Sequence, residues 1–375
     1  MISAFQIINF KCFEDLKLEL GQLTLLTGFN GGGKSTAIQP LLLLAQNLRF
    51  DESQERYALN GPLVQLGTIG DVMPSEVVAA PIKFVVEEQG TVEVFWSFSG
   101  RAGGRFLTLT EHDAEEVVGN LSIKDIFNAK HRVQRSISRL IYISAVRGGA
   151  AVAYPSPNTQ DSNFSRIGTE GQYAPYWYDQ LVDDEVPLER RHPDEPAPSF
   201  RKQLDAWIGA LFPGAQANVQ SLPQISMFSL QFRLSEIGAW RRPANIGYGL
   251  TYAFPILVSL LAASKGQIIV IDSPEAHLHP SAQSKMGSIL AHFAKAGIQI
   301  IIETHSDHLL NGARLAIKEG QLPNSSLRIH FFTRPAPTAH GVVSPSVDPQ
   351  GRIYEWPSGF FDQSEKDLSQ LAAWE

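Results

Sequence analysis

The sequence of 375 residues contains a single cysteine, Cys12, no long apolar run and no excess of positive charge. One cysteine excludes an internal disulfide framework and a cysteine-ligated zinc site, so we expect Cys12 only to pack against its neighbours. The most apolar stretch, residues 254–263, is far shorter than the roughly 18 residues that a membrane span requires. The formal net charge of −7 argues against broad affinity for a polyanion, so any contact with nucleic acid has to be local.

The first ten residues do not predict a signal peptide. Residues 1–10 contain neither the basic segment nor the long apolar stretch of a signal peptide, which predicts a cytoplasmic protein that keeps its N-terminus and does not enter a membrane. Hydrophobic residues make up 43% of the chain, so a large core can form. The length allows two or three average domains, or one large α/β domain with an insertion.

The most informative stretch is residues 28–36, GFNGGGKST, which fits the pattern G-x-x-x-x-G-K-[ST]. A triphosphate is wrapped by inward-facing backbone N–H groups, and only a loop poor in side chains can approach it closely. Lys34 would contact the β- and γ-phosphates, Ser35 would bind Mg²⁺, and the following helix would direct its positive dipole end at the anion. The residues predicted to bind nucleotide here are Gly28, Asn30, Gly31, Gly32, Gly33, Lys34, Ser35 and Thr36.

The flanks of this predicted phosphate loop (residues 28–36) favour that interpretation over a glycine-rich turn with a chance lysine. Residues 23–27 predict a buried strand and residues 36–47 a helix. Around them, a β-rich lobe is predicted. Its strands are expected at residues 3–10, 16–20, 82–87, 91–99 and 105–110, with residues 49–57 as a loop and 61–71 as a bent connection.

The middle of the chain predicts a helical and irregular insertion. Residues 122–140 predict a helix, followed by a short strand at 141–146, a long irregular segment at 148–198 and an amphipathic helix at 200–211. In the first helix an apolar face is formed by Val133, Ile137 and Leu140, and the opposite face carries Arg132, Arg135 and Arg139. This arginine stripe could contact nucleic acid or an acidic partner, and an ordinary solvated helix face is the alternative.

Three later motifs complete the set. Residues 245–251, NIGYGLT, place Gly247 and Gly249 before a predicted helix at 252–263, where bare N–H groups can meet a phosphate. Asp272 ends a predicted buried strand at 268–271, a position from which a carboxylate can hold Mg²⁺. A second buried strand at 298–302 leads into Glu303-Thr-His305, and a histidine there can contact a γ-phosphate. Each motif alone has a structural explanation, so their order carries the argument.

That order resembles the ATP-binding-cassette ATPases from residue 3 to about residue 310. The opening QIINFKCFEDLKLELGQLTLLTGFNGGGKST is similar to the N-terminal lobe of RecF, SMC and OLD-type ATPases. The stretches SPEAHLHP and ETHSDHLL resemble OLD-type and related bacterial defence ATPases, and WPSGFFDQ near the end resembles a tail of compact bacterial ATPases whose role is unassigned.

The resemblance implies an α/β fold, an ABC-ATPase head of the P-loop NTPase class with an antiparallel β lobe and an insertion. The expected domains are an N-terminal ATPase lobe (1–121), the insertion (122–244), a C-terminal ATPase lobe (245–326) and a tail of strands and aromatic residues (327–375). The resemblance further implies that two copies sandwich two ATP molecules. One copy would supply Lys34, Ser35, Asp272 and His305, and the other its Gly247–Gly249 segment. Gln65 is a further candidate for the glutamine that senses Mg²⁺ and water.

Two features depart from the cassette pattern. The helix-starting motif is NIGYGLT and not a Leu-Ser-Gly-Gly sequence, so the contact to ATP across the dimer would rest on backbone N–H groups. The position after Asp272, where these ATPases commonly carry the catalytic glutamate, is Ser273, which cannot act as a carboxylate base. We predict that Glu275 acts instead, through a water within hydrogen-bond reach, and that hydrolysis is slow.

Two other activities are disfavoured. A transition-metal site at His277, His279, His305 and His308 would need three converging ligands, and the phosphate-loop context already accounts for His305. A nuclease site in the tail would need paired strand-end acids. The tail offers only scattered ones: Asp348, Glu355, Asp362, Glu365 and Asp367. For the tail aromatics Trp356, Phe360 and Phe361 we prefer packing onto the head over docking of a partner.

The resemblance leads to the functional hypothesis of a homodimeric or higher-order ATP switch that controls a partner effector, such as a nuclease or toxin. Its assignment to bacterial antiviral defence rests on that resemblance alone. The alternative is a RecF-like DNA repair and recombination ATPase that loads on DNA itself. A transporter subunit is disfavoured by the antiparallel lead-in and the SPEAHLHP motif.

Overall fold

In the part of the chain that the structure describes, two six-stranded sheets and one three-stranded sheet each combine strands that are distant in the sequence. The computed structural model describes residues 1–49, 54–74, 80–117, 121–157, 167–333 and 341–372. The strands in these ranges are β1 (Ile2–Phe10), β2 (Phe13–Glu19), β3 (Leu23–Gly28), β4 (Arg56–Ala58), β5 (Ile82–Glu88), β6 (Val92–Ser99), β7 (Phe106–Glu116), β8 (Ile141–Ile143), β9 (Tyr154–Pro155), β10 (Gln216–Leu222), β11 (Met227–Arg233), β12 (Ile268–Asp272), β13 (Gln299–Glu303), β14 (Leu327–Phe332) and β15 (Val342–Val343).

The helices in the same ranges are α1 (Lys34–Leu48), α2 (Ile69–Val72), α3 (Ile123–Ser138), α4 (Ala174–Leu181), α5 (Phe200–Leu211), α6 (Tyr248–Ala262), α7 (Pro280–Lys295), α8 (Asp307–Lys318) and α9 (Gln363–Ala372). None of these described helices is both long and apolar enough to cross a membrane.

The predicted phosphate loop leaves a mostly parallel sheet with the strand order β15-β14-β3-β13-β12-β8. All neighbouring pairs are parallel except β14 and β15, which pair antiparallel at the edge. The buried strands predicted before the loop, before Asp272 and before Glu303 are confirmed as β3, β12 and β13. Because these three strands run in the same direction, their carboxyl ends meet at one edge of the sheet.

Both faces of this sheet are buried, which explains why its strands are almost continuously apolar. Along β12, Ile269 and Ile271 belong to a core shared with α4, α5, α6, α7 and α8. Ile268 and Val270 point the other way, into a core shared with α1, α3 and the antiparallel sheet. The alternation follows from the two-residue repeat of a strand. The parallel sheet is therefore the layer between two cores.

The predicted β-rich lobe is confirmed as a single antiparallel sheet with the order β2-β1-β5-β6-β7-β4. β1 pairs with β2 on one side and with β5 on the other, so the lead-in pair and the later hairpin are one structure. β7 is longer than predicted. The prediction of a loop at 49–57 is wrong at its end, where Arg56–Ala58 pairs with β7 as β4, and residues 50–53 lie outside the described residues.

The helix predicted at 122–140 is confirmed as α3. Ser122 caps it by accepting a hydrogen bond from the Asp125 backbone N–H, and Asp125 reaches back to Ser122. Val133, Ile137 and Leu140 are buried, as the apolar face predicted. The next strand, β8, ends at Ile143 and joins the parallel sheet beside β12, so the range predicted as an insertion also contributes a strand to that sheet.

The irregular segment predicted at 148–198 is confirmed for most of its described part, but the prediction is wrong at Ala174–Leu181, which forms α4, and at Tyr154–Pro155, which forms β9. Its aromatic residues build a core that the low periodicity concealed: Tyr178 on α4 is 2% exposed and packs against Phe200 and Phe254. Residues 158–166 lie outside the described residues. The helix predicted at 200–211 is confirmed as α5, and the antiparallel pair β10 and β11, which the sequence analysis did not predict, follows it.

The tail packs beside the phosphate loop, because β14 pairs with β3 in parallel register. The strands expected in the tail are confirmed as β14 and the short β15, and a helix, α9, follows them.

The helices α7 and α8, which follow β12 and β13, were not predicted from the sequence. They pack directly against each other. They approach so closely that glycine is required at the crossing. A Cβ on Gly312 would lie 1.8 Å from the Ser284 carbonyl oxygen, and one on Gly287 would lie 2.1 Å from the Leu309 carbonyl oxygen. The contact therefore holds backbone against backbone.

We predict that Gly312→Ala destabilises the protein, because the helices must separate to admit the methyl group. Overpacking of this kind costs about 1–3 kcal/mol. The matched control is Gly209→Ala on α5, where a Cβ would meet no atom within 4 Å. That change is expected to raise stability, by up to about 1 kcal/mol, through helix propensity. Urea unfolding of both variants checks this, and equal effects would contradict the close crossing.

Candidate functional site

The loop between β3 and α1 has a shape that only glycine can adopt at two positions. Gly28 has a φ of 133°, and an added Cβ would lie 2.1 Å from the Phe332 carbonyl oxygen. Gly33 has a φ of 105°, and its Cβ would lie 2.6 Å from the Phe13 ring. Residues with side chains rarely adopt these φ values. The strand β14 and the start of β2 thus enclose the loop from two sides.

α1 begins directly after this loop with an N-terminus suited to an anion. No acidic residue lies in its first turn and no side chain caps it. Backbone N–H groups and the helix dipole favour negative charge at such a position. The other predicted nucleotide-binding residues line the same turn: Asn30, Gly31 and Ser35 are exposed, Thr36 is half-buried and Gly32 is buried.

Lys34 is buried, and its ammonium group turns back onto the loop. Its Nζ donates to the carbonyl oxygens of Gly28, at 3.1 Å, and Phe29, at 2.9 Å. Burial lowers the pKa of Lys34, and the carboxyl groups of Glu303 and Asp272 oppose that shift. A cation bonded to neutral carbonyl oxygens can transfer to an anion in the loop at little cost.

Ser35 contacts an acid to which the sequence analysis assigned no role. Its Oγ donates to Glu303 Oε1 at 3.0 Å. Glu303 ends β13 and pairs in register with Asp272 at the end of β12. Burial, reinforced by the neighbouring Asp272, raises the pKa of Glu303 to about 7. The signal in the sequence was that Glu303 directly follows the predicted buried strand at 298–302, as Asp272 follows the one at 268–271.

These groups suit a small divalent cation. A serine hydroxyl and carboxylates are the hard oxygen ligands that Mg²⁺ takes, usually with phosphate oxygens and water completing the shell. Two carboxylates at adjacent strand ends also need a nearby positive charge. In the described part of the chain, no group of three or more histidine, cysteine or acidic side chains is placed to hold a metal ion. The donor set fits Mg²⁺ bound together with a nucleotide.

The turn after β12 holds the predicted catalytic base. Ser273 has a φ of 50° and its Oγ donates to Asp272 Oδ1 at 2.9 Å. Glu275 follows, and its Oε1 accepts a hydrogen bond from the His305 backbone N–H at 2.8 Å. Burial raises the pKa of Glu275. The structure therefore brings Glu275 and His305 together beside Asp272.

Arg147 holds this turn by its backbone carbonyl groups, a role that no sequence motif indicates. It is 4% exposed, and its Nη2 donates to the carbonyl oxygens of Asp272, at 2.7 Å, and Ser273, at 3.0 Å. Its guanidinium also lies over the Tyr252 ring of α6, 5.4 Å from the centroid. Burial lowers the pKa of Arg147 to about 10, opposed mainly by Asp272 and Glu275. The Arg147 side chain therefore connects the segment after β8 with α6 and with the turn at Asp272–Glu275, here called the acidic turn.

His305 lies two residues after β13 with its side chain partly open to solvent. Partial desolvation of the ring, together with the charge of Lys34, lowers its pKa. Gly247 and Gly249 flank the first residue of α6. Gly247 is exposed with open space around its Cα, whereas a Cβ on Gly249 would lie 2.9 Å from the His277 carbonyl oxygen. The start of α6 therefore packs on the loop that follows Asp272.

Two sets of predicted residues have other partners. Gln65 is exposed, and its amide donates to the Gly61 carbonyl oxygen at 3.0 Å. In the arginine stripe, Arg132 makes a two-pronged ion pair with Glu88, at 3.1 and 2.8 Å. Arg135 and Arg139 are exposed, and Arg139 lies just past the end of α3. The expected basic face is thus partly neutralised within the chain.

The other histidines have separate surroundings. His277 packs against the rings of Tyr252 and Tyr248, at 4.5 and 5.6 Å between centroids. His279 caps α7 by accepting a hydrogen bond from the Ser281 backbone N–H, and His308 lies 3.8 Å from Asp307.

The tail aromatics pack onto the head, and they reach the phosphate loop. Phe360 is 1% exposed and stacks edge-on against Phe331 of β14 at 5.2 Å and Trp356 at 4.7 Å. Phe331 in turn contacts Phe29 of the loop at 5.6 Å. A Cβ on Gly359 would lie 2.4 Å from the Phe29 ring. Packing onto the head, the preferred interpretation, is thus what the structure shows.

Two family models match the chain. One, described as "AAA domain, putative AbiEii toxin, Type IV TA system", matches residues 123–311, just over half of the chain. This range includes Asp272, Glu275 and His305 but not the phosphate loop. The other, described as "Protein of unknown function (DUF3696)", matches residues 322–371 in the tail. No curated protein matches the chain.

The fold is similar to solved structures of SMC heads. One, an SMC head bound to the C-winged helix domain of ScpA, is 13% identical with a TM-score of 0.54, over 92% of this chain and 98% of that chain. Another, an Smc head with an extended coiled coil bound to the C-terminal domain of ScpA derived from Pyrococcus furiosus, is 12% identical with a TM-score of 0.50, over 99% of each chain. The predicted α/β fold of the ABC-ATPase head is confirmed.

We predict that Phe360→Ala destabilises the whole head, because the tail is part of its core. Removing a buried phenylalanine side chain costs about 3–5 kcal/mol. Leu371→Ala is the control, since Leu371 on α9 is 72% exposed and its loss leaves no cavity. Urea unfolding measures both free energies. A Phe360→Ala protein as stable as the control would show that the tail packs only loosely.

Proposed function

Since the chain belongs to the family described as "AAA domain, putative AbiEii toxin, Type IV TA system", we propose that it is an ATPase that binds MgATP at its phosphate loop and closes as a homodimer. The observation that carries this proposal is Lys34, a buried cation held by the Gly28 and Phe29 carbonyl oxygens at the N-terminus of α1. A triphosphate in the loop would take over those bonds with much stronger acceptors.

In this proposal each residue has a defined task. Lys34 and the loop N–H groups bind the phosphates, and His305 contacts the γ-phosphate. Ser35 and Asp272 hold the Mg²⁺ that arrives with ATP, which would bridge phosphate oxygens and offset their charge. Gln65 is not included, because its amide is bonded to Gly61. The loop and acids of one copy face the open Gly247 segment of the other.

Hydrolysis requires a base, and Glu275 is the proposed one. It lies against His305 and beside Asp272, whereas Ser273 has no carboxylate. Water attacks the γ-phosphorus, the bond from phosphorus to the β-bridging oxygen breaks, and Glu275 accepts the proton from water, giving ADP and phosphate. Because Glu275 is bonded to a backbone N–H and displaced from the usual position, we propose that turnover is slow.

The dimer proposal draws on the surface before α6. Large apolar side chains are exposed between β11 and the Gly247 segment: Leu234 at 57%, Ile237 at 99%, Trp240 at 38% and Tyr248 at 56%. Several large apolar side chains exposed within one short segment are typical of protein interfaces. ATP held from both sides would favour the closed dimer, and loss of the γ-phosphate would remove that preference.

We further propose that the dimer controls a partner effector in bacterial antiviral defence. The family description names a toxin and a toxin–antitoxin system, and both similar SMC heads are bound to domains of another protein. The ion pair of Arg132 with Glu88 weighs against direct loading on DNA through the arginine stripe. The four domains set out from the sequence remain part of this proposal, with the tail attached to the ATPase head.

We predict that MgATP converts the protein to a dimer, and that Glu275→Gln holds it there because hydrolysis stops.

Lys34→Ala is expected to weaken ATP affinity about tenfold or more, since a charge-assisted bond to phosphate is lost. Lys318→Ala, at the exposed end of α8, is the matched control. Light scattering after gel filtration and ATP titration measure both effects. A protein that stays monomeric when saturated with MgATP would contradict the proposal that two copies complete the nucleotide site.

We also predict a pH effect of Arg147 on hydrolysis. Glu275 acts as a base only when ionised, burial raises its pKa, and the positive charge of Arg147 lowers it. Activity therefore rises with pH through the pKa of Glu275. In Arg147→Met that pKa is higher, so the rising limb moves to higher pH. Arg147→Lys keeps the charge and is expected to restore the limb. If the rising limb of the pH–rate profile lies at the same pH in Arg147→Met as in the unsubstituted protein, Arg147 does not lower the pKa of the base.

A further inference from the structure

Glu303 is a buried acid that neither the nucleotide contacts nor the proposed base requires. It is 7% exposed, at the end of the central strand β13 between the phosphate loop of β3 and Asp272 of β12. Burying a carboxyl group beside another is costly unless it serves a partner. A position that only supported packing would be filled by an apolar residue, as in the preceding residues Ile300–Ile302 of the same strand.

The partner of Glu303 is the hydroxyl of Ser35. The Oγ of Ser35 donates to Glu303 Oε1 at 3.0 Å, and Ser35 itself is exposed in the loop. A hydroxyl has one proton and two lone pairs. With the proton directed down at the buried carboxyl group, the lone pairs face the open side of the loop, where a cation would bind.

We propose that Glu303 is a positioning residue that orients the Ser35 hydroxyl toward a divalent cation bound with the nucleotide. The inference rests on the proposed MgATP site and adds a residue to it. Without Glu303, Ser35 could turn its proton toward other acceptors and would lose its fixed orientation. Outer-shell partners of this kind typically change metal affinity by about 10- to 100-fold.

Two substitutions separate the hydrogen bond from the charge. Glu303→Gln keeps an amide oxygen that can accept from Ser35, whereas Glu303→Met fills similar space without an acceptor. We expect Glu303→Met to raise the Mg²⁺ concentration needed for tight binding of a fluorescent ATP analogue about tenfold or more. Glu303→Gln is expected to remain close to the unsubstituted protein. Binding of the analogue in EDTA should be equal in all three, since the loop contacts are retained.

A double-substitution cycle tests the route through Ser35. In a Ser35→Ala background there is no hydroxyl to orient, so adding Glu303→Met is expected to change Mg²⁺ dependence no further. An additional loss in that background would overturn the positioning role. So would a Glu303→Met protein with unchanged Mg²⁺ dependence, or one whose affinity in EDTA falls by the same factor.

Thermal unfolding without nucleotide shows whether each variant folds, and Glu303→Gln, nearly identical in shape, provides a folded comparison. If the unsubstituted protein binds the analogue with no response to Mg²⁺ or to Lys34→Ala, the proposed MgATP site fails and this inference fails with it. If that protein responds to both and Glu303→Met equals it, only the role of Glu303 is wrong.

Discussion

The parallel register of β3, β13 and β12 is the constraint on which the rest of the site depends. Leu26 pairs with Glu303, and Glu303 pairs with Asp272. This register brings the glycine loop and two strand-end acids to one edge, although they come from opposite ends of the chain. A slip of one residue would exchange each acid for a neighbouring isoleucine, because successive side chains of a strand point to opposite faces.

The edge concentrates buried charge that an ordinary core would avoid. Lys34, Arg147 and Glu303 are each at most 7% exposed. Each is bonded to another part of the edge: Lys34 to the loop carbonyls, Arg147 to the carbonyls of the acidic turn, and Glu303 to Ser35. Such groups shift one another's pKa values and cost stability, which is a common property of binding and catalytic sites. The close contact of α7 with α8 and the aromatic tail hold the surrounding loops in place.

Much of this was accessible from local sequence patterns. The glycine loop has a recognisable motif because a positive φ and close backbone approach both demand glycine. The buried strands and α5 were predicted because their apolar repeats are regular. The β10–β11 pair and α4 were missed, since their stability comes from aromatic contacts such as Tyr178 with Phe254, which no local repeat reveals. β4 was missed because three residues form a strand only when β7 lies alongside.

The sequence by itself determined the phosphate loop, its lysine and serine, and the strand-end positions of Asp272 and His305, because each depends on residue type and short-range spacing. Only the tertiary structure decided that Glu303 accepts a hydrogen bond from Ser35, that Arg147 bonds to the turn after Asp272, that Arg132 is paired with Glu88, and that the tail packs beside Phe29. These contacts join residues from distant parts of the chain, so their partners are chosen by strand order and core packing, which no single segment encodes.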